Sequence, residues 1–255
     1  MHCQFGLIVT GKGEEEFLPK FFRSLADRKK GANCSFVVLG RIGQLSPRTS
    51  QKPKNQQRIS GEKQAITSKA QDMGLMAKGY LMDKRTQQNR FVLLIDDVER
   101  DRRPQLASIF NLYRTALDTI LSPQDHSRAG VHFFANMLEA YYFANSQAVN
   151  TALGAAVIPE DHRGDVEEIP HPKNALEKLH PAFRERKDGG KIVAELDLDH
   201  ILRDPETCAF LRSLFGWCVE KLLASSDFCA PALASRYQLA LGKRAEITKN
   251  QVRPA

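Results

Sequence analysis

FVLLIDDVERD, residues 91–101, carries the strongest fold signal in this chain. Within the strand expected over Arg90–Ile95, the run Phe91–Ile95 is apolar without alternation, which marks a strand covered on both faces, the usual state of a parallel sheet. It ends in a burst of acids, Asp96, Asp97, Glu99 and Asp101, with Arg100, Arg102 and Arg103 beside them.

Outward from that strand, the same pattern recurs. Gln4–Thr10 reads as a first strand closed by Gly11. Glu14–Asp27 follows with Phe17, Leu18, Phe21, Phe22 and Leu25 at helical spacing. Ser35–Leu39 is expected as a short strand and Gly61–Met82 as a helix. Pro104–Leu121 is expected as an amphipathic helix, Gly130–Phe134 as a strand and Met137–Leu153 as a helix. Strand and helix in alternation imply an α/β fold, a mainly parallel sheet with right-handed crossovers and helices on its faces. In such sheets ligands bind beyond the carboxyl ends of the strands, where Thr10-Gly11 and Asp96-Asp97 both fall.

Residues 1–153 therefore read as an α/β core, interrupted by a polar insertion at 41–60. Residues 154–241 read as a helical extension packed on that core, and 242–255 as a loose tail. Within the extension, Asn174–Leu179 is expected as a short helix, KDGGK (Lys187–Lys191) as a turn, and Glu206–Leu223 as a long helix carrying Trp217.

Composition narrows the class. The chain has 255 residues, 42% of them apolar and 26% charged, enough for a core without staples. No apolar run is long enough to suggest a membrane span, and the first residues read as a strand and not as a signal peptide. Cys3, Cys34, Cys208, Cys218 and Cys229 are odd in number and lack CxxC spacing. They fit a reduced, cytoplasmic protein better than a zinc site. Net charge is +7, and between Arg41 and Arg90 eleven Lys and Arg residues are opposed only by Glu62, Asp72 and Asp83. Such a field would attract a polyanion, although a solvated loop accounts for it equally well.

The acids admit two readings. Clustered carboxylates at strand ends suit Mg²⁺ or Mn²⁺, hard ions that take oxygen ligands and bridge to phosphates. Alternatively, Asp101 caps the next helix while the arginines neutralise its neighbours. Glu14 and Glu15 lie nearest the first turn, where first-turn acids also suit the helix dipole. Gly11 and Gly13 would let backbone amides meet a phosphate, with Lys12 adding charge. GKGEEEF lacks the Walker A pattern, so a nucleotide-hydrolase loop is not indicated. Glu139, in the apolar stretch FFANMLEAYYFAN, is either a site residue or the glutamate of a capping box begun by Asn136.

Taken together, VTGKGEEEFLP, VLLIDDVERD, NMLEAYYFAN and PHPKNALEKLHP…KDGGKIVAELDLDHIL, in that order, resemble the Toprim-like domain of unknown function 4276 family. The resemblance runs from about Phe5 to Leu223. It implies a Toprim-like (Rossmann-like) α/β fold, with Mg²⁺ held by a strand-end glutamate and an aspartate pair. It also implies a similarity to effector subunits of bacterial anti-phage systems encoded beside ATPases. A nuclease acting on DNA or RNA is the activity this suggests, with nucleic acid and an ATPase subunit as partners. Carried over by position, the V-E-G pattern is Val9-Thr10-Gly11 here, and Glu14 stands where a further glutamate follows in V-E-G-x-x-E. The D-x-D pair falls on Asp96 and Val98, with Asp97 and Glu99 one residue out of phase. On this resemblance Glu14, Asp96, Asp97 and Glu99 would be catalytic, and Glu14, Asp96 and Asp97 would hold metal, with Glu139 added from its place in the apolar stretch. Gly11, Lys12, Gly13 and Arg100 would meet phosphate. A shifted metal site and a binding surface that has lost catalysis both remain consistent with that register.

Overall fold

The computed structural model describes residues 2–23, 25, 34–45, 67–83, 89–225, 235, 237, 239, 241–249 and 251. The basic insertion beyond position 45 and the start of the helix expected from Gly61 lie outside these residues, as do Lys84, Arg85 and Cys229.

Four parallel strands form one sheet in the order β2-β1-β3-β4. They are β1 (Cys3–Val9), β2 (Cys34–Arg41), β3 (Asn89–Val98) and β4 (Ala129–Ala135). Helix α1 (Lys12–Phe21) follows β1, α2 (Ser68–Met82) precedes β3, and α3 (Leu106–Ile120) joins β3 to β4. This is the α/β, Rossmann-like architecture with flanking helices and a helical extension that the strand–helix alternation implies.

The sheet divides the core by residue parity. Phe5, Leu7 and Val9 of β1 join Phe91, Leu93 and Ile95 of β3 in a layer with Phe17, Leu18 and Phe21 of α1. Ile8, Val92, Leu94 and Val98 face the other way, onto Met73 and Ala77 of α2 and Ile109, Tyr113 and Leu117 of α3. Successive strand side chains point to opposite faces, so Asp96 and Asp97 must part company, one to each layer.

β3 runs farther than the apolar run alone indicates. It continues through Val98 because β4 keeps pairing with it, Asp96 opposite Phe133, Asp97 opposite Phe134 and Val98 opposite Ala135. β1 stops earlier, with Val9 opposite Ile95. Both aspartates thus lie beyond the end of β1 but inside the β3–β4 ladder.

The extension shares the α1-side core. After α4 (Ser146–Leu153), which ends the α/β part, helices α5 (Pro172–Leu179), α6 (Glu185–Glu195), the single turn α7 (Leu198–Ile201) and α8 (Ala209–Ser225) build it. Leu211, Leu214, Phe215 and Trp217 of α8 belong to the same apolar cluster as Phe5 and Phe21.

Several local expectations are corrected. KDGGK is not a turn but the middle of α6. Its glycines allow close approach to α1, since a Cβ on Gly189 or Gly190 would stand 3.1 or 3.2 Å from the Phe17 ring. The helix expected over Met137–Leu153 is a 3₁₀ segment, Leu138–Ala144, followed by α4. The break accompanies Asn136 and Met137, whose φ of 56° and 83° no α-helix accommodates. α1 ends at Phe21, well before Asp27.

The tail, expected to be loose, is docked as far as it is described. Its turn α9 (Glu246–Lys249) follows Ala245, whose amide donates to Ser213 Oγ at 2.8 Å. Gln251 then places its side-chain amide on the open edge of β4. The Val131 amide donates to Gln251 Oε1, and Gln251 Nε2 donates to the Val131 carbonyl at 2.7 Å. A glutamine amide carries the same donor and acceptor as a peptide, so it completes an edge that would otherwise invite another strand.

Candidate metal centre at the sheet edge

At the carboxyl edge of the sheet, the two aspartates have opposite surroundings. Asp96 is fully buried and fully occupied. Thr10 Oγ1 donates to its Oδ1 at 2.7 Å, Tyr113 OH to its Oδ2 at 2.9 Å, and Arg102 Nη2 to Oδ2 at 2.8 Å. Arg102 also donates to the carbonyl oxygens of Asp97 and Leu45. The Tyr113 hydroxyl in turn accepts from the Leu45 amide at 3.0 Å. Thr10 reaches Asp96 because both follow the parity of Ile8 and Leu94, facing α2 and α3. Arg102 Nη1 adds a fourth donor at 3.3 Å from Oδ1, so the carboxylate's lone pairs, about four in all, are taken and none is left for a cation.

Asp97 faces α1 and lacks such partners. Asp97 is 6% exposed and Glu14 7%; no other group donates to Asp97 Oδ1 or Glu14 Oε2, and the two carboxyls lie close enough to share a proton. Burial pushes the Asp97 carboxyl well above its ordinary range, and the adjacent Glu14, then Glu139 and Asp96, push it further. Glu139 belongs to the same group. Burial raises it to about 7, and the charges of Glu185 and Glu14 act in the same direction while Lys173 opposes them. Lys173 is itself ion-paired to Glu185. Tyr142 feels Glu139, Glu185 and Glu14 in turn, although burial is the main reason its hydroxyl is raised.

The first glycine turn and β3 thus do meet, through Glu14 and Asp97. Glu14 is brought there by α1, which starts at Lys12 with Gly11 as its extended N-cap. The Glu14 carboxylate folds back over that N-cap so closely that a Cβ on Gly11 would lie 1.9 Å from Oε2. The free amide cradle expected at Gly11-Lys12-Gly13 is therefore taken. A phosphate there would meet a carboxylate first, and Lys12 points to solvent.

The remaining expected residues separate. Glu15 and Glu16 are exposed, and Glu15 lies 3.6 Å from Arg41. Glu99 and Arg100 are exposed past the end of β3. The capping box at Asn136 does not form. Asn136 Nδ2 donates instead to the Glu167 carbonyl at 2.9 Å, and Glu139 turns inward. Glu167 ties the α8 N-terminus down, accepting from the Phe210 and Leu211 amides and from Tyr141 OH.

Sequence reasoning missed Tyr113, Tyr142 and Asn136. The two tyrosines look like apolar-stripe residues, and their one distinguishing signal is a hydroxyl where leucine would serve. Asn136 was visible only as a cap.

A cleft of about 240 Å³ opens at the same edge, lined by Glu99, Arg100, Asn136, Met137, His171 and Lys173 among others. Three of these, Asn136, Met137 and His171, have left-handed φ of 56°, 83° and 50°. Non-glycine residues hold such angles only where their surroundings enforce them.

Fit to a divalent cation differs across the strand. Glu14 Oε2 and Asp97 Oδ1 are orphaned buried oxygens that a cation would satisfy, and two carboxylates with water suffice for Mg²⁺. Asp96 does not fit. Among the described residues no three His, Cys, Asp or Glu side chains are already gathered as a metal-holding set, and no helix is long and apolar enough to cross a membrane. No family model, no curated protein and no solved structure matches this chain.

Proposed function

We propose that Glu14 and Asp97, supported by Glu139, hold Mg²⁺ or Mn²⁺, and that the chain is a metal-dependent nuclease of the Toprim-like kind. The orphaned oxygens of Glu14 and Asp97, buried together at the carboxyl edge of a parallel sheet, carry this reading. Two acids kept this close and this dry are costly unless a cation or a proton joins them. When bound, the ion would lower the pKa of a bound water and offset charge on a phosphodiester.

The residues themselves divide the work. Asp97 and Glu14 bind. Glu139 takes or releases a proton near neutrality, because its ordinary value is raised to about 7. Asp96 is a positioning residue, fixing β3, Thr10 and Arg102 in one unit. Arg100 and the basic residues from Arg41 onward attract the nucleic-acid backbone. A role as effector subunit beside an ATPase in anti-phage defence follows from the resemblance alone.

Calorimetric titration with Mn²⁺ and a cleavage assay on DNA and RNA test the reading together. Wild type and Asp96→Asn should bind Mn²⁺, while Asp97→Asn and Glu14→Gln should not. Cutting should disappear with Asp97→Asn. Mn²⁺ binding that persists in Asp97→Asn would overturn the assignment.

The saturation of Asp96 favours a second reading, a catalytically silent subunit that binds nucleic acid or a partner ATPase. That protein would give no Mn²⁺ heat and no cleavage, with or without its partner.

A further inference from the structure

The cleft beside the acids has the chemistry of a receptor for one nucleotide. It lies between the ends of β3 and β4 and the start of α5. Its wall holds an acceptor with nothing to accept. Asn136 is 3% exposed, its Nδ2 donates to the Glu167 carbonyl, and its Oδ1 has no partner. Glu99 adds a second acceptor at the rim.

The same cleft presents donors for an anion. α5 begins with Pro172 at its first position, carries no acid in its first turn, and has no side-chain cap from His171. Its first-turn residues Lys173 and Asn174 line the opening, and their amides make no hydrogen bond among the described residues. A helix start of this kind suits a phosphate. Arg100 lines it too and has no ion-pair partner among the described residues. Lys173 adds a positive charge, shared with Glu185.

We infer that this cleft, framed by Arg100, Asn136 and the start of α5, binds a single nucleoside monophosphate unit of a nucleic-acid strand. Arg100 and the α5 amides take the phosphate. Asn136 Oδ1 and Glu99 take hydroxyl or amino donors of the nucleoside. At about 240 Å³ the cleft is too small for a paired strand. The left-handed backbone at Asn136, Met137 and His171 gives the wall a fixed shape. This inference rests on the proposed phosphodiester substrate and narrows it to unpaired or terminal nucleotides.

Binding of adenosine 5′-monophosphate and of inorganic phosphate, measured by calorimetry in EDTA, tests it apart from the cation. The nucleotide should bind wild type and Asp97→Asn alike, and more tightly than phosphate. Arg100→Ala, at an exposed position, should weaken both by about tenfold or more, as loss of a charge-assisted bond does. Asn136→Gly, which tolerates a φ of 56°, should weaken the nucleotide and leave phosphate unchanged. No saturable binding, phosphate binding as tight as the nucleotide, or equal affinity in Arg100→Ala would overturn the inference. Nucleotide binding lost in EDTA or in Asp97→Asn would overturn it also, by making the cleft part of the cation site. Loss of Mn²⁺ binding with nucleotide binding intact would instead remove the cation reading and leave the cleft.

Discussion

Asp96 and Asp97 are neighbours in one strand, both buried, and chemically opposite. Asp96 lies against a guanidinium and two hydroxyls, all of its acceptor capacity spent on α3, Thr10 and Arg102. Asp97, turned through the sheet by strand parity, meets Glu14 and lies near Glu139, with no cation among its partners. The difference teaches that an acid pair in sequence is not an acid pair in space. In a strand, consecutive acids serve two surfaces, and one can be structural while the other is left reactive.

The largest test of that contrast is removal of the cation on the Asp96 side. Arg102→Met would leave a fully buried carboxylate with hydroxyl donors only. Breaking one half of such a pair costs about 3–5 kcal/mol, read as a lower urea midpoint at unchanged m-value. Adding Asp96→Asn to Arg102→Met should recover part of that loss. A double variant no more stable than the single would mean that Arg102 works through Leu45 and Asp97 carbonyls and not through Asp96.

The Asp97 side should answer to pH instead. Glu139 ordinarily titrates near 4.5 and is raised to about 7 in the folded chain, so the folded state keeps a proton that the unfolded chain gives up. Stability is therefore full below the unfolded value and falls as pH rises from about 4.5 to 7, by on the order of 3 kcal/mol for this group. Asp97, raised for similar reasons, adds to the same slope. Thermal melts from pH 4.5 to 8 should show the decline, Glu139→Gln should flatten it, and Mn²⁺ should restore stability at the alkaline end.

Asp97→Asn removes one charge from the crowded pair. Near pH 8 without metal it should stabilise the chain by on the order of 2 kcal/mol, since like charges no longer share a dry site. In Mn²⁺ the order should reverse, wild type gaining melting temperature by ligand binding and the variant gaining none. An Asp97→Asn chain less stable than wild type in EDTA would show that Asp97 has an attractive partner after all.

Much of this arrangement was legible before any coordinates. The unalternating run at Phe91–Ile95 and the amphipathic stripe of α3 are strong periodic signals, and they carried the parallel sheet. Asp97 could be named, though no more than Asp96, and Glu139 likewise, because a carboxylate next to apolar residues calls for a partner, whereas Glu14 came from the resemblance. What could not be read locally was which partner each would find. Thr10 and Tyr113 reach Asp96 across the sheet and from α3, contacts with no trace in sequence spacing. Gly189 and Gly190 look like a turn until Phe17 of α1 is seen against them. Gln251 looks like tail until the edge of β4 is beside it. In each case a non-local neighbour overrode a sound local preference.

Thr10→Val is the smallest perturbation and discriminates most finely between the two faces. The substitution keeps the shape of a buried β-branched side chain and removes only the 2.7 Å bond to Asp96 Oδ1. Arg102 Nη1 remains 3.3 Å from that same oxygen, so the carboxylate keeps a donor and the loss should be only about 1 kcal/mol. Since Thr10 carries no charge and faces away from Glu14, neither the pH slope set by Glu139 nor Mn²⁺ binding should change. Were Thr10→Val to weaken Mn²⁺, the ion would have to be sensed through Asp96, and the separation of the two aspartates by the plane of the sheet would fail. If it lowers stability alone, Thr10 is a hydrogen-bond donor to Asp96, and the cation chemistry belongs to the opposite face.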